Sequence, residues 1–113
     1  MPNTVVDFEM QDGEVVKMTL TYARLYALRG KDEKTYRTYN RIMTKGIQEE
    51  VENVHILYTA YLCANLDKKC MSRDEFLERM PVDREYVNET LTKLLYPKKK
   101  KDSPKRLRKR PDD

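Results

Sequence analysis

Residues 48–66 have the sequence QEEVENVHILYTAYLCANL, and this stretch can only lie in the interior of a folded protein. In its first half, Val51, Val54 and Tyr58 follow the i, i+3, i+7 spacing of one helical face. From Ile56 onward the apolar residues spread around the helix, so other elements must cover it on several sides. The segment is too short, and too acidic at its start, to span a bilayer. We predict that 48–66 forms the central buried helix of a small domain.

Two runs rich in β-branched and aromatic residues, at about 4–10 and 14–20, lie N-terminal to this helix. Asp12-Gly13 separates them, and glycine accepts the positive φ that a tight hairpin turn requires. The sequence therefore predicts a β-hairpin with strands over these two ranges. A lone hairpin is marginal in water, so its apolar face must pack on helices. The candidates for that face are Val6, Phe8, Met10, Val16, Met18 and Leu20.

Four further helices are predicted around the central one, and capping residues set their ends. Their predicted spans are 21–29, 33–45, 73–80 and 84–95. Their predicted N-caps are Thr19 or Thr21, then Asp32, then Ser72 in a capping box with Glu75, and finally Asp83. The predicted stops are Gly30, Gly46 and Pro81. The expected fold class is mostly α, with an N-terminal β-hairpin followed by about five helices around a central buried helix.

The net charge of +4 hides two parts of opposite charge. Residues 98–113 hold nine basic and three acidic residues, whereas 1–97 hold 14 basic and 16 acidic ones. We predict a single folded domain over 1–97 and a basic tail at 98–113 that is disordered, because it has almost no apolar groups to bury. The tail is either a solvated end that aids solubility or an electrostatic hook for nucleic acid or an acidic protein.

The sequence favours an intracellular, cytoplasmic protein without a membrane anchor. No apolar run resembles a signal peptide, and none has the length of a membrane span. Cys63 and Cys70 fit this expectation as reduced thiols that pack like small hydrophobic side chains. Together with His55, the only histidine, they offer too few ligands for a zinc site.

No residue pattern predicts catalysis. The chain has three glycines in no phosphate-binding arrangement, and no serine or cysteine lies in a recognisable nucleophile setting. His55, on the polar flank of the central helix, is interpreted as a partly buried side chain with one hydrogen bond. We therefore expect a protein that is not an enzyme, with no catalytic residues, no cofactor and no metal.

Four tyrosines alternate with arginines in the two helices before the central one, namely Tyr22, Tyr26, Tyr36 and Tyr39. Aromatic side chains in a basic groove form stacking platforms for single-stranded nucleic acid. Tyrosines at helical spacing more often lie at the edge of the core, with the ring inside and the hydroxyl in water. Because residues 1–97 are slightly acidic, the core-edge interpretation is favoured and nucleic acid is an unlikely partner of this part of the chain.

The order of these pieces resembles tail assembly chaperones of long-tailed, siphovirus-type phages and prophages of Gram-positive bacteria. The resemblance lies in the hairpin with its Asp-Gly turn, then MTLTYARLYALR, KTYRTYNRIMTKG, ILYTAYLCANLD, SRDEFLERMPVDREYV and a lysine-rich end. It covers about 4–97. It implies a small helical protein that binds the tape measure protein and keeps it soluble while tail tube subunits polymerise around it.

The resemblance also implies a longer product of the same gene, made by ribosomal frameshifting near the end of the first reading frame. Consecutive lysine codons at Lys98, Lys99, Lys100 and Lys101 can form a slippery sequence. The expected partners are the tape measure protein, the tail tube protein and that longer product, with a homo-oligomer left open. The alternative function is nucleic-acid binding through the basic tail.

Three methionines near predicted helix ends, Met43, Met71 and Met80, are candidate partner-binding residues together with the four lysines of 98–101. Methionine suits adaptable apolar contacts, and a chaperone needs apolar surface to offer. The same three methionines could equally fill gaps in the core.

Overall fold

The structure is a computed structural model that describes residues 5–96. Its two strands are β1 (Val6–Glu9) and β2 (Val15–Met18), and its five helices are α1 (Tyr22–Lys31), α2 (Glu33–Lys45), α3 (Glu50–Ala64), α4 (Arg73–Arg79) and α5 (Arg84–Leu95). The predicted fold class is confirmed, because the chain is mostly helical with an N-terminal antiparallel hairpin. Residues 98–113, with the predicted tail and its lysine run, lie outside the described residues.

The hairpin is shorter than its predicted strands. Val6 pairs with Met18 and Glu9 with Val15, and the loop between them places Gly13 at φ 91°. Beyond β2 the Thr19 N–H turns away from the ladder and donates to the Ala60 carbonyl of α3 at 3.1 Å, so pairing stops there. Five of the six candidate core residues of the hairpin are buried, and Leu20 packs partly buried against them. The hairpin therefore lies with β2 on α3 and β1 on α5.

The predicted stop at Gly30 is wrong. α1 continues to Lys31, and the Asp32 N–H donates to the Leu28 carbonyl at 2.6 Å to close its last turn. The Asp32 carboxylate also accepts from the Thr35 N–H at 3.2 Å and so begins α2. One residue thus ends one helix and starts the next, which leaves no room for a glycine stop.

The predicted bounds of α2 and α5 are confirmed, and those of α3 and α4 are too long. In front of α3, the Glu52 carboxylate accepts from the N–H groups of Gln48 and Glu49 at 2.6 and 3.2 Å, so these two residues belong to the cap. α4 ends one residue early because Pro81 holds Met80 in an extended conformation, at ψ 126°.

The second half of α3 is the centre of the core, as predicted. Ile56, Leu57, Ala60 and Cys63 have no exposed surface. All seven elements contribute to the one hydrophobic cluster around them. The prediction for the first half is wrong at Val51, which is 45% exposed because no element covers that side of the first turns.

Two tyrosines of α3 anchor the chain before α4. The Tyr58 hydroxyl donates to the Met71 carbonyl at 3.0 Å, and the Met71 N–H donates to the Tyr61 hydroxyl at 2.9 Å. Both rings lie against Phe76 of α4, with centroids 5.2 and 5.3 Å away. The backbone of Met71 is therefore fixed, and α4 packs in a defined place on α3.

Within residues 5–96, every helix falls short of the length and apolar character that crossing a membrane requires.

Candidate partner-binding groove

A groove of about 660 Å³ opens where the first turns of α3 face the connection between α4 and α5. Three segments form it: the 47–49 connection with the start of α3, the end of α4, and residues 81–88 at the start of α5. Its apolar lining consists of Ile47, Val51, Val54, Leu77, Met80, Pro81, Val82 and Val87. Its walls are helix ends, which the caps described above hold in place.

Exposed aliphatic side chains concentrate in this groove. Val82 is 96% exposed, and Ile47 and Val51 are each exposed by nearly half. The other large hydrophobic side chains that are exposed in the described residues are Val5, Val15, Tyr22, Tyr26, Met43 and Tyr96. An exposed apolar patch rimmed by polar residues is typical of an interaction surface, whereas single exposed hydrophobic residues are ordinary.

The rim of the groove is acidic. Glu49, Glu50 and Asp83 line it together with one cation, Arg84. The Arg84 guanidinium donates to the Glu50 carboxylate at 2.8 Å, and this bond raises the pKa of Arg84 above its usual value. The Asp83 carboxylate accepts from the Tyr86 N–H at 3.1 Å and caps α5. Arg84 neutralises one of the three carboxylates, and the other two also cap the N-termini of α3 and α5, so the described rim keeps a net negative charge.

The predicted methionine sites lie in different environments. Met80 lines the groove, but it is a buried wall residue at 7% exposure. Met71 lines a separate cavity of about 460 Å³ beside Leu62 and Cys70, and Met43 is exposed on α2 outside both cavities. Of the three methionines, only Met80 lines the groove. The four predicted lysines, 98–101, lie outside the described residues.

Sequence reasoning missed Ile47 and Val82, which the structure places on the lips of the groove. Both are single apolar residues in connections between helices, one next to Gly46 and the other next to Pro81. A connection has no periodicity from which a face could be assigned. The sequence does contain one signal for these two residues. Aliphatic side chains are rarely needed to form a turn, so their presence in short connections between capped helices indicates another role.

The tyrosine prediction holds for α2 and fails for α1. Tyr39 is buried and Tyr36 half-buried, with the Arg29 guanidinium carbon 6.0 Å from the Tyr36 ring centroid. Burial raises the pKa of the Tyr39 hydroxyl, and nearby Cys63, Tyr22 and Tyr36 add to the rise. Tyr22 and Tyr26 are mostly exposed, because Leu25 and Leu28 take the buried face of α1.

His55 is more deeply buried than predicted, and its ring bonds through Nε2 to the Thr35 carbonyl at 3.3 Å. Since the carbonyl can only accept, Nε2 carries the proton in this pair. A small cavity of about 230 Å³ adjoins the histidine and is also lined by Arg41 and Arg73. Burial lowers the pKa of His55, and the two arginines lower it further, whereas the bond to Thr35 and the charge of Asp32 raise it.

In the described residues the cysteines form no metal-binding centre, and Cys63 stays protonated. Burial raises the pKa of the Cys63 thiol to about 12, against a smaller opposing effect of Arg24, so it stays protonated at neutral pH. Cys70 is half-buried, and both thiols are free. Among residues 5–96, no three His, Cys, Asp or Glu side chains come together in a way that could hold a metal ion.

No family model, curated protein or solved structure matches this chain. The resemblance to tail assembly chaperones therefore stays a hypothesis from the sequence.

Proposed function

We propose that this protein is a non-enzymatic tail assembly chaperone of a long-tailed phage or prophage, acting in the cytoplasm of the bacterial host. Its client is the tape measure protein, which it keeps soluble until tail tube subunits polymerise around it. The tail tube protein is the second proposed partner. The resemblance over 4–97 supplies the names of these partners, and the surface of the domain supplies the physical support.

The observation that carries the proposal is the open apolar groove on an otherwise charged domain. A long helical client exposes an apolar stripe along its length, and that stripe aggregates unless another surface covers it. A groove binds such a stripe through side-chain anchors at helical spacing. Three exposed aliphatic residues around one groove, Ile47, Val51 and Val82, provide the apolar surface that this requires.

The test is co-expression with the tape measure protein encoded by the same phage. We expect the tape measure protein to be insoluble alone, and soluble and co-purifying when this protein is present. A second co-expression with the tail tube protein alone checks the other proposed partner. A tape measure protein that stays equally insoluble with and without this protein would contradict the proposal.

The second candidate function is nucleic-acid binding through 98–113. The segregation of nine basic residues into this segment favours it, because neutralising phosphates releases counterions. This function predicts DNA binding that weakens steeply with salt and disappears when 98–113 is deleted. DNA binding that survives the deletion, or no binding at low salt, would contradict it.

A further inference from the structure

We propose that the groove between α3 and the α4–α5 connection binds an amphipathic partner helix whose apolar stripe is flanked by lysine or arginine side chains. The inference rests on the proposed function, since it names the surface and the client chemistry of the same chaperone. Two features of the groove support it: the position of its apolar side chains and the charge of its rim. The chain's own segments, in addition, fit the groove less well.

The position of the apolar side chains favours a helix as the ligand. Ile47, Val51 and Val82 come from three different segments and line one groove, so the groove offers several apolar contact points. None of the described lining residues belongs to a strand, so this part of the groove offers no strand edge to which an extended peptide could add. A helix presents several anchors on one face at i, i+3 or i+4, and i+7. A cavity of about 660 Å³ has room for such a group of anchors.

The charge of the rim determines which side chains should lie on either side of the partner helix's apolar stripe. Among residues 5–96, the rim holds three carboxylates against one guanidinium, and the guanidinium is already bonded to Glu50. Basic side chains beside the apolar stripe would meet Glu49 and Asp83, whereas acidic flanks would be repelled. Complementary charge at a rim fixes the register of a partner and excludes wrong partners more than it adds affinity.

The chain's own candidate occupants fit less well. A second copy that used the same groove would bring the two acidic rims together, since an isologous contact repeats the same patch on both sides. The basic segment 98–113 matches the rim in charge, but Leu107 is its only apolar residue. It therefore lacks the several anchors that the groove requires.

Two synthetic peptides test the occupant directly. Both carry the same leucine stripe at helical spacing, and they differ only in flanking lysines or flanking glutamates. We expect the lysine-flanked peptide to bind the full chain at least about tenfold more tightly than the glutamate-flanked one, as measured by fluorescence anisotropy. Equal affinity of the two peptides would overturn the proposal.

A pair of substitutions tests whether the peptide binds in the groove. V51S combined with V82S should weaken binding of the lysine-flanked peptide about tenfold or more, because both side chains contact the stripe. The matched control is V15S, which removes a valine from the outer face of β2 whose exposure, 56%, lies between those of Val51 and Val82. A loss of affinity as large in V15S as in the double variant would overturn the assignment of the groove.

Two further measurements test whether a second copy of the chain or the segment 98–113 occupies the groove instead. A dimer seen by sedimentation that dissociates in the V51S/V82S variant would make the groove a self-interface and overturn the proposal. An increase in peptide affinity of about tenfold on deleting 98–113 would assign the groove to that segment instead.

The two proposals can fail separately. If the tape measure protein co-purifies equally with the wild-type chain and with V51S/V82S, the proposed function stands and the groove is not its site. If the lysine-flanked peptide binds in the groove and the tape measure protein does not bind, the groove assignment stands and the proposed client is wrong.

Discussion

His55 combines nearly complete burial with a ring nitrogen, Nδ1, that has no hydrogen-bond partner among residues 5–96. A buried imidazole avoids charge, and Arg41 and Arg73 make a positive charge there still less favourable. Asp32 acts in the opposite direction and raises the pKa of His55. The folded domain therefore favours the neutral form of the His55 imidazole. As a result, the free energy of unfolding depends on pH.

We predict that stability falls as the pH drops below neutrality. The pKa of His55 in the folded state lies below its unfolded value of 6.5, so the unfolded chain takes up the proton first. The contribution of neutral His55 to stability is fully present above the pKa of the unfolded state. It is lost as the pH falls from that value toward the pKa of the folded state. Thermal melts between about pH 7.5 and 5.5 measure the effect, and this range stays above the ordinary carboxylate pKa values. H55Q, which cannot titrate, should flatten this slope; an unchanged slope would contradict the assignment.

Leu57 tests the central helix at the level of one side chain. It has no exposed surface, so L57D buries an unpaired charge at a cost of several kcal/mol, comparable with the stability of a small domain, about 5–15 kcal/mol. We expect L57D to unfold the domain in circular dichroism, and L62D to act similarly because Leu62 is also buried. The control on the same helix is V51D, which should change stability by only roughly 0.5 kcal/mol because Val51 is exposed. Cooperative melting of L57D near the wild-type temperature would show that this face is not core.

At the scale of elements, the sequence predicted helices where a local cap decides the boundary. Asp32 and Gly46 bracket α2, and Asp83 starts α5, so each of these boundaries is set by residues next to it. The end of β2 is set by a distant contact and was missed, whereas the errors at the ends of α3 and α4 amount to one or two residues beside local caps. The strand residues after Met18 leave the ladder for a carbonyl of α3, which no local pattern indicates.

The groove could not be predicted for a related reason. Helical periodicity placed Val51 on the same face as Val54, Tyr58 and Leu62, and of these four only Val51 is exposed. Whether a neighbour covers the first turns of α3 depends on how far the α2–α3 connection and residues 81–83 lie from them. That distance is a property of the assembled fold, so the sequence assigned Val51 to the core, whereas the structure leaves it open to solvent.

Gly30 gives a prediction at the scale of α1. It lies in the helix with ordinary helical geometry, and a Cβ there would meet no atom within 4 Å. G30A should therefore stabilise the domain by roughly 0.5–1 kcal/mol, because alanine loses less conformational freedom on folding. G46A should destabilise it by about 1–3 kcal/mol, because Gly46 has φ 92° and ψ 158°, a region open mainly to glycine. Urea denaturation of the two variants measures both signs, and a destabilised G30A would show that the glycine has another role.

At the scale of the whole molecule, the hairpin joins the first part of the described chain to the last. The Gln11 N–H donates to the Arg79 carbonyl at 2.8 Å, and the Arg79 guanidinium lies 2.8 Å from Glu14 and 3.6 Å from Asp12. The Tyr86 ring stacks on Phe8 with centroids 4.6 Å apart, and its hydroxyl accepts from the Glu9 N–H at 2.8 Å. Because these contacts connect β1 and its turn to α4 and α5, residues 5–96 are expected to unfold as one cooperative unit.

Residues 98–113 lie outside the described part of the chain, and we predict that the domain folds without them. Deleting 98–113 should change the free energy of unfolding by no more than roughly 0.5 kcal/mol, because its charges and prolines offer only Leu107 for burial and the buried cluster of the described residues runs from Val6 to Leu94. The net charge should change from +4 to −2, since the segment holds nine basic and three acidic residues. Retention on a cation exchanger near neutral pH should then disappear, because the remaining basic residues are interspersed with a slight excess of acids. A truncated chain that melts much earlier than the full one would mean that 98–113 packs on the domain, and its basic residues would then belong to the fold rather than to an electrostatic hook.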